Sequence, residues 1–235
     1  LRNNRKLELC ISPIYRTDQV PFKFIFLNSR SLHKHIKDVC SDLNYTSADV
    51  SIFAETRFSP SDAKEKYTIT GYDLFRNDGF PSGCGRSFGG TAVYSRIDYY
   101  PGYPYILNQN GIEITVLRFL TLPQVTIVAT YLSPRVPITH LCTALRNLLI
   151  SLPTASNVFI GDFNINWLSE SKKVPLFNLF LQQFQYRRLI STYTTDYKTC
   201  LDHIYTNLPQ ANAYGNLVET YFSDHKAVYV LIDLF

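Results

Sequence analysis

Carboxylate, amide and imidazole side chains recur at the points where apolar segments of this chain begin or end. In VFIGDFNIN (158–166), the apolar run stops at Gly161, and Asp162 and Asn164 follow at alternate positions. Side chains at alternate positions of a strand project from the same side, so we expect these two to share one face. Residues of the same classes stand beside other apolar segments: Asn28, Glu55, Asp202, His203, Asp224 and His225. One such residue is usually a turn former, but the recurrence indicates a functional site.

Hydrolysis of a phosphate ester is the chemistry that these residue types suit. A hard cation such as Mg²⁺ prefers oxygen ligands, which Glu55, Asp224 and Asn28 can supply. Such a cation withdraws charge from a phosphoryl oxygen and steadies the leaving oxygen. A histidine that is supported by an aspartate can act as a base or can donate to a phosphoryl oxygen. A second aspartate that is held by an asparagine, as in Asp162 and Asn164, can orient the attacking water.

The apolar segments themselves alternate between strand and helix patterns. FKFIFLN (22–28) and ADVSIFAET (48–56) are predicted strands, and 31–44 between them has an amphipathic helix pattern with Ser31 as its N-cap. Residues 57–90 are predicted to be mostly loop, because NDGFPSGCGRSFGG is rich in glycine. Further predicted strands are 91–97, 112–120, 125–133, 157–163, 200–207 and 225–234, with a turn at 122–124 and helices at 138–152 and 174–189. Two strand–helix–strand rounds flanked by strand pairs predict a four-layered α/β sandwich, in which two packed sheets lie between helices.

The composition fits one folded domain. A hydrophobic content of 46% can fill a core, and a charged content of 18% is low for a disordered chain. We therefore expect a single domain over 22–235, after an N-terminal extension, 1–21, that is a candidate edge strand. The formal net charge of +4 permits an acidic partner without requiring one. The absence of methionine indicates a domain cut from a longer protein.

Cysteine spacing and hydropathy indicate in which kind of cellular compartment the protein is found. Five cysteines, with no C-x-x-C spacing, argue against a zinc site or a disulfide framework and favour a reducing compartment. No apolar segment approaches the roughly 18 residues of a membrane span, and residues 1–10 are too charged for a signal peptide. The sequence therefore predicts a protein that is neither secreted nor bound to a membrane.

Eight short motifs occur in a characteristic order and spacing from Phe22 to Leu234: LNSRSLHKHIKDV, ADVSIFAETRFSP, GYDLFRND, GGTAVYSR, VATYLSP, FIGDFNIN, TCLDHIYTN and SDHKAV. In these motifs the chain resembles the endonuclease/exonuclease/phosphatase superfamily. It looks most like the apurinic-endonuclease-like endonuclease domains of mobile elements. Non-LTR retrotransposons are the main candidates for the element, and Helitron-type elements, which also carry such a domain, are the alternative. The resemblance implies the DNase I-like fold, in which both packed sheets are mixed.

The resemblance also implies a metal site and a water site. Asn28, Glu55 and Asp224 would hold Mg²⁺, for which Mn²⁺ would substitute. Asp162 matches an aspartate that acts on the water or on the leaving group, and Asn164 matches the residue that orients it.

Further matches lie around the scissile phosphate. Asp202 would pair with the catalytic His225, and the hydroxyls of Tyr131 and Thr199 would contact the phosphate. His203 neighbours Asp202 on a strand, so we expect it to point to the opposite face and to be structural.

Nucleic-acid binding needs cations for the phosphates and rigid side chains for the grooves. Arg57 stands where many mobile-element relatives have tryptophan, and STYTTDYKT (191–199) is a candidate hairpin that offers Tyr193, Tyr197 and Lys198. YYPGYPYI (99–106) is a candidate edge cover, membrane-contacting loop or stacking surface. The candidate phosphate contacts in loops are Arg30, Arg57, Arg76, Arg86, Arg96 and Arg135.

The favoured function is a Mg²⁺-dependent DNA endonuclease that nicks one strand, leaves a 3′-hydroxyl and serves element insertion. Its partners would be DNA and a reverse transcriptase or helicase domain of the same polyprotein, its location would be nuclear, and the isolated domain would be monomeric. The alternatives are a phosphomonoesterase or lipid phosphodiesterase of the same superfamily, and a non-catalytic DNA-docking module.

Overall fold

The computed structural model describes residues 20–81, 87–99, 101–119, 125–152 and 156–233. Within these residues, two six-stranded sheets pack face to face and helices cover their outer faces. The predicted four-layered α/β sandwich is therefore confirmed. Its elements are β1 (Phe22–Asn28), α1 (Leu32–Ser41), α2 (Leu43–Thr46), β2 (Val50–Ala54), β3 (Tyr72–Asn77), β4 (Phe80–Pro81), β5 (Ser87–Phe88), β6 (Thr91–Arg96), β7 (Tyr105–Gln109), β8 (Ile112–Arg118), β9 (Val125–Leu132), α3 (Ile138–Ser151), β10 (Ser156–Asp162), α4 (Lys173–Gln183), β11 (Arg187–Arg188), β12 (Asp202–Thr206), β13 (Ala213–Val218) and β14 (Ala227–Ile232), with short 3-10 helices at Lys64–Tyr67 and Gln210–Asn212.

Both sheets are mixed. The strand orders are β13-β14-β1-β2-β6-β3 and β11-β12-β10-β9-β8-β7, and β4 pairs with β5 separately. β1 runs parallel to β2, and β9 runs parallel to β10, whereas the other pairings are antiparallel. Parallel neighbours need a crossover connection, which α1 and α2 supply in the first sheet and α3 supplies in the second. The two predicted strand–helix–strand units correspond to these two parallel pairs with their connecting helices.

The central strand β1 is apolar on both faces because each face meets a different core. Phe24 and Phe26 pack into the core between the sheets, whereas Ile25 and Leu27 pack into the core that includes residues of α1 and α2. Burial of each such side chain contributes about 1.5–3 kcal/mol. These contacts fix the position of Asn28, which is fully buried at the end of the strand.

Within the two six-stranded sheets, the described strands that the sequence pattern does not predict are β3, β7, β11 and β13, and each is an edge strand. The separate pair of β4 and β5 is not predicted either. An edge strand pairs on one side only, and its side chains here are largely half-buried or exposed, so the apolar signal weakens. β3 lies within 57–90, so the expectation that this region is mostly loop is wrong for that part.

Two helix boundaries also differ from the prediction. The Asp42 side chain accepts from Asn44 N at 2.8 Å, which ends the first helix at Ser41 and begins a separate short turn of helix. α4 ends before a left-handed residue, Gln185 (φ 60°), and the chain then enters β11 rather than continuing as helix to 189. Ser31 precedes α1, but its side chain makes no capping hydrogen bond.

Some sequence predictions fall outside the described residues, namely the edge strand within 1–19, the turn at 122–124 and the contact by Arg86. Among the helices that are described, none has the length and apolar character that crossing a membrane requires.

Candidate active site

Three strand ends from the two sheets converge at one edge of the sandwich. Asn28 ends β1, Glu55 follows β2, and Asp162 ends β10. The Asn28 side-chain amide donates to Glu55 Oε1 at 3.0 Å and to Asp162 Oδ2 at 2.9 Å. One amide group therefore joins two carboxylates that belong to different sheets.

A buried aspartate–histidine pair lies beside Asp162. Asp202 is directly opposite Asp162 in the antiparallel register of β10 and β12. His225 Nδ1 lies 2.8 Å from Asp202 Oδ2 and 3.1 Å from Asp202 Oδ1. Side-chain atoms of the three residues all lie within 4.8 Å of one another. Asp202 therefore fixes the orientation of the imidazole and the nitrogen that carries its proton.

Burial and mutual charge set the protonation states of this group. The pKa of Asp162 is raised to about 7 overall, mainly by burial and also by the nearby Asp202 charge, against the opposing effect of His225. Burial alone would lower the pKa of His225, but contact with Asp202 raises it to about 9 overall. At neutral pH His225 is an imidazolium, which suits stabilisation of a phosphoryl oxygen, and Asp162 is poised to take up a proton.

Glu55 and Asp224 share one cation, the guanidinium of Arg30. Arg30 Nε lies 3.3 Å from Asp224 Oδ1, and Arg30 Nη1 lies 4.0 Å from Glu55 Oε1. Asp224 Oδ1 accepts no hydrogen bond from the described residues. Carboxylate oxygens are the ligand type that Mg²⁺ and Mn²⁺ take in proteins. The donor set therefore fits a hard divalent cation.

Asn28 presents its amide nitrogen, rather than its oxygen, to the carboxylates. Its Oδ1 accepts from Arg30 N at 3.1 Å. In this structure Asn28 is thus a donor that holds Glu55 and Asp162, and its role as a metal ligand stays a prediction.

Asn164 holds Asp162 through the backbone. Asn164 N donates to Asp162 Oδ1 at 2.9 Å, whereas its side-chain amide donates to Leu132 O at 2.7 Å. β10 ends at Asp162, and Asn164 has a left-handed backbone (φ 48°), so strand alternation does not govern its direction. The orienting contact that the structure contains is therefore a main-chain hydrogen bond.

Hydroxyl groups complete the polar surroundings. Tyr131 Oη donates to Glu55 Oε1 at 3.4 Å, and burial raises the pKa of Tyr131, which keeps the phenol neutral. Thr199 Oγ1 pairs with Thr195 Oγ1 at 2.6 Å, so its hydroxyl serves the turn in this structure. Thr194, which the motifs did not indicate, donates to Asp202 Oδ2 at 2.6 Å. Two adjacent threonines in STYTTDYKT could have suggested a hydroxyl contact, but the sequence does not say which one reaches Asp202.

Loops that adjoin β2, β9 and β12 carry exposed cations and an exposed aromatic ring. The segment 194–199 forms a tight turn that is closed by Thr194 N donating to Thr199 O at 2.7 Å, and Thr195 bridges to His225. Tyr197 and Lys198 are exposed on this turn, and Arg57 and Arg135 are exposed elsewhere. Their contacts with nucleic acid stay predictions.

Two other arginines that were predicted to contact phosphate, Arg76 and Arg96, bind acidic side chains of the protein itself. Arg76 donates to both Asp78 oxygens at 2.9 Å and to the carbonyls of Ser59 and Asp62, and it is only 13% exposed. Arg96 pairs with Asp98 at 3.1 Å. Arg76 is therefore a structural residue rather than a free phosphate contact.

His203 is structural, as expected. It is fully buried beside Phe163, Trp167 and Tyr205, and its Nε2 lies 3.0 Å from Ile165 O. Burial lowers its pKa to about 3, so the ring stays neutral.

A buried carboxyl group that the motifs did not indicate lies behind Glu55. Glu113 on β8 faces Tyr131 across the β8–β9 pair, and its Oε1 accepts from Gly90 N at 2.9 Å. Its Oε2 accepts no hydrogen bond from the described residues. Burial raises the pKa of Glu113 to about 8, against the opposing effect of the Gly90 hydrogen bond.

Glu113→Gln is expected to be more stable than the wild type above about pH 8. The folded-state pKa of about 8 exceeds the ordinary value of 4.5, so the wild type loses stability as the pH rises between these values, on the order of a few kcal/mol. Glutamine keeps an acceptor for Gly90 N and cannot ionise. Thermal unfolding in EDTA from pH 5 to 9 measures this, with the exposed Glu65→Gln as control. Parallel pH profiles for wild type and Glu113→Gln would contradict the expectation.

Comparisons with known proteins agree with this architecture. A family model described as the Endonuclease/Exonuclease/phosphatase family matches residues 25–225. The solved endonuclease domain of TRAS1, a telomere-specific non-LTR retrotransposon, has a TM-score of 0.68 at 15% identity, with 91% of this chain and 99% of that chain covered. An AP endonuclease from Archaeoglobus fulgidus has a TM-score of 0.68 at 13% identity, with 91% and 100% covered. The 3′ phosphatase NExo from Neisseria, bound to a product DNA hairpin, has a TM-score of 0.73 at 15% identity, with 91% and 100% covered.

No curated protein sequence matches the chain. At these identities the similarity to solved structures establishes the fold alone.

Proposed function

Because the chain belongs to the Endonuclease/Exonuclease/phosphatase family, we propose that it is a Mg²⁺-dependent DNA endonuclease that nicks one strand and leaves a 3′-hydroxyl. The observation that carries the proposal is the pair of hydrogen bonds from the Asn28 amide to Glu55 and Asp162. The Asn28 amide thus connects Glu55, whose carboxylate suits a metal, to Asp162, which lies beside the Asp202–His225 pair.

The reaction is an in-line attack of water on the phosphorus of a DNA phosphodiester. Asp162 takes a proton from the water as its oxygen bonds to phosphorus, and the bond from phosphorus to the 3′-oxygen breaks. The departing oxygen takes a proton from solvent and becomes the 3′-hydroxyl of the upstream fragment, while the phosphate stays on the 5′ end of the downstream fragment. The imidazolium of His225, held by Asp202, stabilises charge on a non-bridging oxygen.

Glu55 and Asp224 would hold the metal, with Asn28 as the third ligand that the family resemblance implies. A bound Mg²⁺ would withdraw charge from a phosphoryl oxygen and steady the leaving oxygen, and Mn²⁺ would replace it. Tyr131 and Thr199 would contact the scissile phosphate with their hydroxyl groups.

We favour DNA as the substrate because the loops that adjoin β2, β9 and β12 carry exposed cations and an exposed aromatic ring. Arg57, Arg135 and Lys198 are available for backbone phosphates, and Tyr197, which is 77% exposed on the 194–199 turn, can enter a groove. A retrotransposon endonuclease domain shares the fold. The nick would supply a primer for element insertion in the nucleus. The domain would be part of a polyprotein that also carries a reverse transcriptase or a helicase. The isolated domain would be monomeric and would not associate with a membrane.

A second candidate function is phosphomonoester hydrolysis, because a 3′ phosphatase that was solved with a DNA product also shares the fold. A substrate panel separates the candidates: supercoiled plasmid, an oligonucleotide with a 3′-phosphate, and inositol phosphates, each with Mg²⁺ or EDTA. We expect plasmid nicking with Mg²⁺ or Mn²⁺, no nicking in EDTA, and loss of nicking in Glu55→Gln. Phosphate release without nicking would favour the phosphatase, and DNA binding without any cleavage would favour a docking module.

A further inference from the structure

Arg30 lies beside the carboxylates of the proposed metal site. Its guanidinium lies 3.3 Å from Asp224 and 4.0 Å from Glu55, the two carboxylates assigned above to the metal. Both Arg30 and a divalent cation would draw on the same negative charges. At such separations two cations repel each other strongly, so the guanidinium and the metal compete.

The backbone of Arg30 is held by a hydrogen bond, whereas its side chain is half exposed. Its backbone is left-handed (φ 54°), and Arg30 N donates to Asn28 Oδ1 at 3.1 Å. The flanking Ser29 and Ser31 are buried, whereas the Arg30 side chain is 50% exposed. A side chain that is anchored in this way can move its charged end by rotamer changes alone, without any rearrangement of the strand end.

We propose that Arg30 is a built-in counter-cation of the metal site, which neutralises Glu55 and Asp224 until a metal binds and then pairs with a phosphate of the DNA strand. The inference rests on the proposed function, in which these carboxylates hold Mg²⁺. The planar guanidinium suits both partners, because carboxylates and phosphates each accept two parallel hydrogen bonds from it. Metal binding would thereby create a phosphate contact, so that the protein without metal holds DNA less tightly.

Two effects of opposite sign follow for Arg30→Gln. Loss of the competing charge should tighten Mn²⁺ binding by roughly threefold to fivefold, the upper part of the range for partly exposed ion pairs. In the presence of Ca²⁺, used to bind DNA without cleavage, the same change should weaken DNA binding and lower the slope of log affinity against log salt by about one. A residue with only a structural role would not produce this pair of opposite changes.

Titration of the DNA-free protein with Mn²⁺, followed by the electron paramagnetic resonance of the free ion, measures the first effect. Arg57→Gln is the matched control, because Arg57 is also exposed and left-handed (φ 57°) and loses the same charge near Glu55. We expect its Mn²⁺ affinity to change by less than about twofold, since no ion pair ties Arg57 to the carboxylates among the described contacts. Arg30→Lys keeps the positive charge and should bind Mn²⁺ within about twofold of the wild type. Thermal unfolding confirms that each variant is folded.

The outcomes separate this inference from the proposed function. Mn²⁺ affinity that is unchanged by Glu55→Gln would remove the metal assignment and, with it, the proposed function. Mn²⁺ binding that depends on Glu55 but is unchanged or weakened in Arg30→Gln would overturn the counter-cation role alone. Equal tightening in Arg30→Gln and Arg57→Gln would also overturn it, because a general charge effect would then explain the result.

Discussion

Asp162→Asn is expected to slow the nicking of supercoiled plasmid by at least about 10²-fold, the scale of a removed general base. Asparagine cannot accept the proton of the attacking water. It also cannot accept from both Asn164 N and the Asn28 amide, which the two carboxylate oxygens of Asp162 now do. Single-turnover nicking with saturating Mg²⁺ measures the loss, and Asp162→Ala should give a loss on a similar scale.

The thermal stability of Asp162→Asn shows whether the loss of nicking comes from catalysis or from unfolding. The pKa of Asp162 is raised to about 7, so the folded state holds its proton more tightly than the unfolded chain, and ionisation costs stability as the pH rises through 7. Asp162→Asn should therefore stay folded at pH 8, because removal of this ionisation cost offsets the hydrogen bond that asparagine loses. Asp73→Asn, which makes the same charge change on the exposed surface of β3, should nick within about twofold of the wild type. Wild-type rates in Asp162→Asn would remove the assignment.

His225→Ala is expected to have the second large effect, again at least about 10²-fold on the nicking rate. The change removes the imidazolium that Asp202 holds at 2.8 Å and leaves that buried carboxylate without its charged partner. Asp202→Asn should lower the rate as well, because the contact that raises the pKa of His225 is lost. The exposed His140 on α3 provides the control, and His140→Ala should leave the rate unchanged. Equal rates in His225→Ala and His140→Ala would contradict the role of His225.

The residues that meet in the site were predictable because they stand at the ends of strongly apolar strands. β1, β2 and β10 are buried along nearly their whole length, so the pattern shows where each strand stops and which polar residue follows. The strand–helix–strand order then predicts that such ends meet at one edge. The same reasoning failed at the four edge strands, whose half-exposed side chains carry little apolar signal.

Contacts that depend on tertiary structure could not be predicted from the sequence. Thr194 reaches Asp202 because a tight turn folds its hydroxyl back over the strand, and spacing along the chain gives no measure of that turn. Glu113 lies within the predicted strand IEITVLR, and nothing in that pattern indicates that its carboxyl group is buried against Gly90. The ion pairs of Arg30 arise only when the loops after β1 and before β14 come together.

Plasmid nicking followed by mapping of the ends tests the central claim most directly. We expect Mg²⁺ to support conversion of supercoiled plasmid to the open circular form. A DNA polymerase should extend the nicks without prior treatment, because each nick carries a 3′-hydroxyl. EDTA or Glu55→Gln should abolish the conversion. Nicks that need removal of a 3′-phosphate before extension, or nicking that persists in EDTA, would contradict the account.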